Sequence, residues 1–339
     1  MKGAFIGFGQ VVELGHVPAF TARNDIFSIE AVSDPVPDRL KKAGEIYPRA
    51  RLYPDYKTML SGEKGLDFAV IASPPVYHPE HVLAALKRKL HVLCEKPLAL
   101  KLRDLNRMKT AAQKADRCLF TVHNWKYAPP SARAIALAKE HAGNILHAQF
   151  HTLRQKPAAS AGSVKSWRQD PSVSGGGIVV DHGWHAFYMV CALAGKKPVS
   201  VSARLEIPEA GAVDEVVTAS IGFEDGSTGM VYLTWKSPAR NNLGLIYGTD
   251  AVIEIHDSVV TITNSSGTQS HDTGDRLTAG SAHPAWMTPL LADFHGEITE
   301  PSKRGLNLTE AGYCLRLIEA AKKSHSLSGK QMNIWTAVK

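Results

Sequence analysis

Short apolar runs alternating with helical stretches constrain this chain more than any other feature. GAFIGFG comes first, followed by IFSIEAVSD, LDFAVIAS and HVLCEK, and between them lie amphipathic segments near residues 11 to 23, 38 to 46 and 79 to 89. Runs this apolar are covered on both faces, as parallel strands are, and parallel neighbours need crossover connections of helical length. The pattern predicts a doubly wound α/β domain over residues 1–121. In such sheets ligands gather beyond the carboxyl ends of the strands, so the chemistry is to be sought directly after each run.

Past residue 121 the pattern changes. HNWKYAPP leads into a helix near 131 to 141, then come the strand ILHAQFHTL, a loop ending in SVKSWRQDPSVSGGG and a helix over 178 to 193. VSVSARLEI, EVVTASIGFED, STGMVYLTWK, GLIYGT, AVIEIHD and VVTIT follow, several joined by turns such as EDGS and GTDA, which reads as an antiparallel sheet with one exposed face. Residues 122–339 are therefore expected to form an α+β domain with a largely antiparallel open sheet, for substrate binding and oligomerisation. A chain of 339 residues exceeds what one core usually holds, which fits two domains.

Composition excludes several classes of function. The formal charge of +7 suits an anionic ligand, yet no Lys/Arg run or aromatic-basic alternation points to nucleic acid. Cys94, Cys118, Cys191 and Cys314 lie far apart without a CxxC pair, so neither a metal site nor a disulfide framework is indicated. No segment has the roughly 18 uninterrupted apolar residues of a membrane span, and the N-terminus enters a strand at once, so a cytoplasmic protein is expected.

Gly7-Phe8-Gly9-Gln10-Val11-Val12 follows the first strand and opens the first helix. In that setting glycines let the backbone approach a pyrophosphate at a helix N-terminus, the mark of a Rossmann dinucleotide-binding domain. Val12 departs from the pattern, standing where a small residue would allow close helix packing. Asp34 ends the second run about twenty residues further on, where a carboxylate accepts from both ribose hydroxyls and repels a 2′-phosphate. NAD is therefore preferred over NADP, although Asp34 also reads as a helix cap beside Pro35 and Asp38.

VIASPPVYHPEHVLAALKRKLHVLCEKPLAL resembles the glucose–fructose oxidoreductase / inositol dehydrogenase / MocA-like (GFO/IDH/MocA) oxidoreductases. The likeness extends through Asn124-Trp125-Lys126-Tyr127-Ala128-Pro129, Trp167-Arg168-Gln169-Asp170-Pro171, Gly175-Gly176-Gly177 and Asp181-His182-Gly183-Trp184-His185. The resemblance implies that Ser73, Pro74 and His78 lie along the nicotinamide side of the cofactor, joined by Glu95, Lys96, Asn124, Trp167 and Arg168. It also implies a site in which Lys96, Asp181 and His185 are catalytic and Lys126, Arg168, Arg240 and His283 help bind substrate.

The residue types suit these roles. Asp181 and His185, four apart on a helix, share one face. An imidazole of ordinary pKa near 6.5 takes a proton from a hydroxyl as hydride leaves the same carbon. Lys96 can hydrogen-bond the reacting oxygen and stabilise developing alkoxide charge. Glu95 would accompany that charge, and a cis Lys96–Pro97 bond is expected, as in some relatives. Lys126, Lys165, Arg168, Lys236 and Arg240 hint at an anionic or phosphorylated substrate. The segment holding His283 and Trp286 is similar to one that closes the cleft in the family, while His151 and His182 read as structural.

A dehydrogenase acting on a secondary alcohol of a sugar, cyclitol or sugar derivative accounts for every motif. An NAD-dependent glycosidase using transient oxidation and a non-catalytic dinucleotide sensor are the alternatives the same fold leaves open. Open sheets pairing face to face would give a homodimer or homotetramer.

Overall fold

The computed structural model of the protein describes residues 1–157, 170–280 and 282–336. Two compact units emerge, Met1–Asn124 with Ala282–Ala311, and Trp125–Ser281 with Gly312–Lys339.

In the first unit a six-stranded sheet is built from β1 (Lys2–Ile6), β2 (Ser28–Ser33), β3 (Arg51–Tyr53), β4 (Phe68–Ile71), β5 (His91–Cys94) and β6 (Leu119–Thr121), in the order β3-β2-β1-β4-β5-β6. Every pairing is parallel. The order reverses between β1 and β4, the switch point at which a crevice opens. β4 is buried throughout, and Gly3 of β1 admits the Phe68 ring, which lies 2.1 Å from where a Cβ would stand. The crossovers use α1 (Val17–Ala22), α2 (Pro37–Ile46), α3 (Tyr56–Gly62), α4 (His78–Lys87) and α5 (Leu102–Ala115). The helical segment expected near residues 11 to 23 is present, and within it residues 12–16 widen into a π-helical turn in which the Val17 amide reaches back to the Val12 carbonyl. The wider turn carries the fully buried Val12, the residue that breaks the small-residue pattern.

The second unit contains α6 (Pro129–His141), β7 (Ile145–Leu153), α7 (Pro171–Ser174), α8 (Ile178–Asp181) and α9 (Gly183–Ala194). They are followed by β8 (Pro198–Glu206), β9 (Val216–Phe223), β10 (Thr228–Thr234), β11 (Asn241–Gly248), β12 (Ala251–His256), β13 (Val259–Asn264), β14 (Gly267–Asp272) and β15 (Met332–Asn333). Among the described residues these form a nine-stranded sheet ordered β14-β13-β12-β11-β7-β10-β9-β8-β15. Only β7 and β10 run parallel; the other pairs are antiparallel. Ala148, Phe150, Val231 and Leu233 are buried on one face, whereas Gln149, Met230, Tyr232 and Leu245 on the other keep partial exposure. This alternation is the signature of a sheet covered on one side.

The chain then returns to the first unit through α10 (Pro284–Thr299) and the start of α11 (Leu306–Ser326). The division thus differs from a single break after residue 121. Phe294 of α10 packs its ring against Phe27, Phe68 and Phe120 at centroid distances of 6.3, 6.1 and 5.8 Å. Asn307 accepts from the Thr121 amide at 2.6 Å and donates to the Thr121 carbonyl at 3.0 Å, closing the end of β6. An amphipathic helix does not announce which core it will join, and aromatic packing decided it here.

Candidate active site

In the first unit the residues expected to bind the cofactor lie in the segments that follow β1, β2, β4, β5 and β6. Gly7 has φ +93°, and a Cβ there would lie 2.8 Å from the backbone of Ala72 and Ser73, so only glycine lets the turn pass the loop after β4. Around Gly9, by contrast, a Cβ would meet nothing within 4 Å, an open cradle beside the first amides of the helical turn at Gln10 and Val11. Asp34 is only 1% exposed. Its carboxylate accepts from the Phe8 amide at 2.7 Å and the Val36 amide at 2.9 Å, and the Arg39 guanidinium lies 3.7 Å away. Asp34 thus braces the glycine loop as well as the entry to α2, with a cation beside it that the sequence did not draw attention to.

The loop after β4 and the loop after β5 are tied by His78. Its Nδ1 lies 2.8 Å from the Pro97 carbonyl and its Nε2 2.8 Å from the Ser73 carbonyl. Burial pushes this imidazole below its ordinary range, while the two carbonyls and Glu95 pull it upward. Ser73 Oγ meets His81 Nδ1 at 2.8 Å, and burial lowers His81 to about 4. Pro74, exposed, leads into the short turn before α4.

The Lys96–Pro97 peptide is cis. Glu95 is buried, with one carboxylate oxygen 2.8 Å from His16 Nε2 and the other accepting from the Lys96 amide at 3.2 Å. Burial opposes its ionisation, but the His16 hydrogen bond, with the charges of His16 and Lys96, holds the carboxyl below its usual value. Beside the expected Lys96, Glu95 thus has a second partner in His16, a contact across 79 residues that leaves no local trace in the sequence. Asn124 is nearly buried, and its Oδ1 finds no hydrogen-bond partner among the described residues, which is uncommon for a buried polar atom. The open cradle at Gly9 and this acceptor fit a dinucleotide.

The second unit carries Asp181 and His185, the pair expected to be catalytic. The helix expected over 178 to 193 is divided at His182, whose φ of −91° and ψ of −25° keep the backbone right-handed between α8 and α9. Asp181 therefore ends one segment and His185 lies in the first turn of the next. Asp214, invisible in the sequence as a site residue, fixes the start of α8. Its carboxylate accepts from the Gly177 amide at 2.9 Å and the Val179 amide at 2.7 Å, and its carbonyl accepts from Ile178 at 2.9 Å. A Cβ on Gly177 would stand 2.0 Å from that carbonyl oxygen, which explains this glycine of the GGG run. Lys322 Nζ donates to the Gly175 carbonyl at 2.6 Å.

His185, 6% exposed, lies flat against Trp125, with ring centroids 4.4 Å apart and planes 9° from parallel. Its Nδ1 is 2.8 Å from the Tyr188 hydroxyl, which also accepts from the Trp125 amide at 2.9 Å. Arg154, at the end of β7, holds its guanidinium 5.7 Å from the Trp125 ring centroid. Among the described residues its hydrogen bonds go to neutral acceptors: the Leu153 carbonyl at 2.8 Å, the Asn241 carbonyl at 3.0 Å and Asn242 Oδ1 at 3.1 Å. Burial, and then Arg240, lower it to about 9, with Asp181 acting in the opposite sense, so it remains a cation at neutral pH. Asp181 approaches His182 Nδ1 at 3.5 Å.

Other expected substrate residues are placed more variously. Lys126 lies 5.5 Å over the Tyr127 ring, and Arg240 donates to the Gly280 carbonyl. His283 belongs to the first unit, where it stacks on Trp286 at 3.5 Å with φ +43° at the head of α10. Lys236 is paired with Glu206 and, at 3.4 Å, with Glu215, an exposed ion pair that accounts for its charge without a ligand. Lys165, Trp167 and Arg168 lie outside the described residues. Among the described residues no group of His, Cys, Asp and Glu side chains is placed to hold a metal ion, and no helix is long and apolar enough to cross a membrane.

A doubly wound parallel sheet with a glycine loop at its first crossover, joined in one chain to an α+β unit bearing a helical Asp/His pair, defines a dinucleotide-dependent oxidoreductase. The chain belongs to the GFO/IDH/MocA family: its NAD-binding Rossmann-fold oxidoreductase domain matches residues 1–123 and its C-terminal domain matches residues 134–254. Over 258 residues, 73% of this chain and 72% of the relative, it is 31% identical to myo-inositol 2-dehydrogenase of Thermotoga maritima. It is 26% identical to levoglucosan dehydrogenase of Pseudarthrobacter phenanthrenivorans, across 87% of this chain and 84% of that enzyme. Among solved structures, a levoglucosan dehydrogenase complex with NADH matches with a TM-score of 0.85 at 19% identity, covering 99% of this chain and all (100%) of the other. An oxidoreductase from Agrobacterium radiobacter in complex with NAD+, L-tartaric acid and magnesium matches with a TM-score of 0.81 at 22% identity, over 98% of both chains. At such identities the structural likeness speaks to the fold.

Proposed function

We propose that the protein is an NAD-dependent dehydrogenase that oxidises a secondary alcohol of a sugar, cyclitol or sugar derivative, or reduces the corresponding ketone. When bound, the nicotinamide supplies the hydride acceptor or donor. His185 exchanges the hydroxyl proton, Asp181 orients the imidazole or the substrate, and Lys96 hydrogen-bonds the reacting oxygen and stabilises its negative charge. Gly7, Phe8, Gly9, Gln10, Val11, Asp34, Ser73, Pro74, His78, Glu95 and Asn124 hold the dinucleotide, together with Trp167 and Arg168. Lys126, Arg168, Arg240 and His283 serve the substrate, and an anionic group on it would suit them.

The observation that carries this reading is His185, a nearly buried imidazole stacked on Trp125 and in hydrogen-bond contact with Tyr188, in the first turn of α9 just after Asp181 closes α8. The names of relatives, among them myo-inositol 2-dehydrogenase and levoglucosan dehydrogenase, support the substrate class. A screen of polyols, cyclitols, sugar acids and sugar phosphates, following NADH absorbance, identifies the substrate. On that substrate His185→Ala and Lys96→Ala each lower kcat about 100-fold or more while NAD still binds. Full turnover in both variants would overturn the assignment.

Arg39, 3.7 Å from Asp34, favours one competing reading, that a 2′-phosphate is also accepted. NAD and NADP measured side by side decide it, and Arg39→Ala lowers any NADP activity selectively. A homodimer or homotetramer paired through the open sheet face, where Gln149, Met230, Tyr232 and Leu245 retain exposure, is part of the same proposal and is tested by light scattering. A cytoplasmic location belongs to it too, and cell fractionation tests that.

A further inference from the structure

Tyr188 stands between two parts of the second unit that matter for His185. Its hydroxyl oxygen lies 2.8 Å from His185 Nδ1 and accepts from the Trp125 amide at 2.9 Å, while the Trp125 ring lies flat on the imidazole at 4.4 Å. One hydroxyl therefore sets the position of both the proton-exchanging ring and the ring that backs it. A tyrosine hydroxyl has one proton and two acceptor lone pairs. The backbone amide can only donate, so it takes one lone pair; toward the imidazole the hydroxyl can either accept an N–H from Nδ1 or give its own proton to a bare Nδ1, and only the first leaves Nε2 free to act as the base.

Resting on the reading that His185 exchanges the substrate proton, we propose that Tyr188 is the positioning residue of that histidine. Nδ1–H donates to the Tyr188 oxygen, which keeps the neutral ring in the tautomer whose Nε2 is the base. When Nε2 takes the proton, the Nδ1–H bond persists and steadies the imidazolium. Unlike a carboxylate in this place, the hydroxyl adds no negative charge. Among the described residues, charged or titratable groups near the pair include Asp181 on α8, His182, and Arg154 at the end of β7 beside Trp125, and replacing tyrosine by phenylalanine alters the charge of none of these.

Two measurements on the full chain test this. In 15N-labelled wild-type protein at about pH 8, with His185 assigned by the resonances that His185→Gln loses, Nδ1 is expected to carry the proton; a protonated Nε2 with bare Nδ1 overturns the proposal. This result needs no Tyr188 variant to fold. In Tyr188→Phe, kcat/KM falls about tenfold and its acid limb moves to lower pH by roughly 0.5 to 1 unit, because the imidazolium has lost an acceptor. A variant that loses activity with the limb unmoved shows a merely structural tyrosine, and one with wild-type rate and profile removes the role altogether. If His185→Gln itself keeps full turnover, it is the proton-exchange reading that fails.

Discussion

Replacing Asp214 separates the device that aims α8 from the residues that do chemistry. Asp214 is 4% exposed, and its carboxylate takes the Gly177 and Val179 amides, both buried, at 2.9 and 2.7 Å. Asp214→Ala leaves both amides without an acceptor. A hydrogen bond to a charged group contributes about 1.5 to 3 kcal/mol, whereas loss of a helix cap as a whole costs about 0.5 to 2 kcal/mol. Two bonds deep in the unit place the expected loss near the top of that cap range or above it, about 3 kcal/mol. Asp214→Asn keeps one acceptor oxygen but turns an NH2 toward the other amide, and loses about 2 kcal/mol. Because Asp181 closes the segment that Gly177 opens, the alanine variant also lowers kcat about tenfold, with a smaller change in KM. Urea unfolding followed by tryptophan fluorescence, with steady-state kinetics on the same preparations, reads both effects. A loss below about 1 kcal/mol in Asp214→Ala, or unchanged kcat in a variant destabilised as expected, refutes the argument that this cap positions the site.

Two further outcomes follow from buried polar groups. His91 Nδ1 accepts from the Cys118 amide at 3.0 Å, and burial, then Arg117 and Arg304, lower the imidazole from 6.5 to about 4. The unfolded chain therefore binds the proton first as pH falls, so the stability His91 contributes is present above pH 6.5 and lost on the way down to pH 4, about 2 kcal/mol of it by pH 5. His91→Asn, whose amide oxygen can take the same N–H, should show that much less acid sensitivity between pH 7.5 and 5 in urea unfolding; identical pH dependence in both proteins contradicts the attribution. Asn307→Ala strips acceptor and donor from Thr121 at the end of β6 and lowers stability by about 2 to 4 kcal/mol, and a change below 0.5 kcal/mol in thermal melting would show that another group takes its place.

The first unit was the more legible part of the chain. Its strands are short, apolar and separated by crossovers, a pattern that leaves few topologies, and a glycine that must pass the Ala72–Ser73 backbone at positive φ leaves a mark in the sequence. β3 and β6, three residues each, were too short to carry a pattern. The return of α10 to the first unit was hidden as well, because a period of 3.6 shows that a helix has an apolar face and not what covers it.

The site divides along a similar line. The residues proposed to carry the chemistry, Lys96, Asp181 and His185, stand out in the sequence because their types are costly or unusual in those settings. Those that hold them do not: His16 behind Glu95, Asp214 beneath the GGG run, and Tyr188 with Trp125 around His185 are each recognisable only through a distant partner. A tyrosine on an apolar helix reads as core, and most of Tyr188 is core, being 2% exposed. The positioning role proposed for it rests on its oxygen alone and depends on three atoms meeting within 3 Å, two of them supplied by residues 63 and 3 positions away. Sequence spacing encodes the second of these contacts as a helical turn. The first exists only once the chain has folded, so the residues that set how a base works are hidden for the same reason that cores are: their meaning is tertiary.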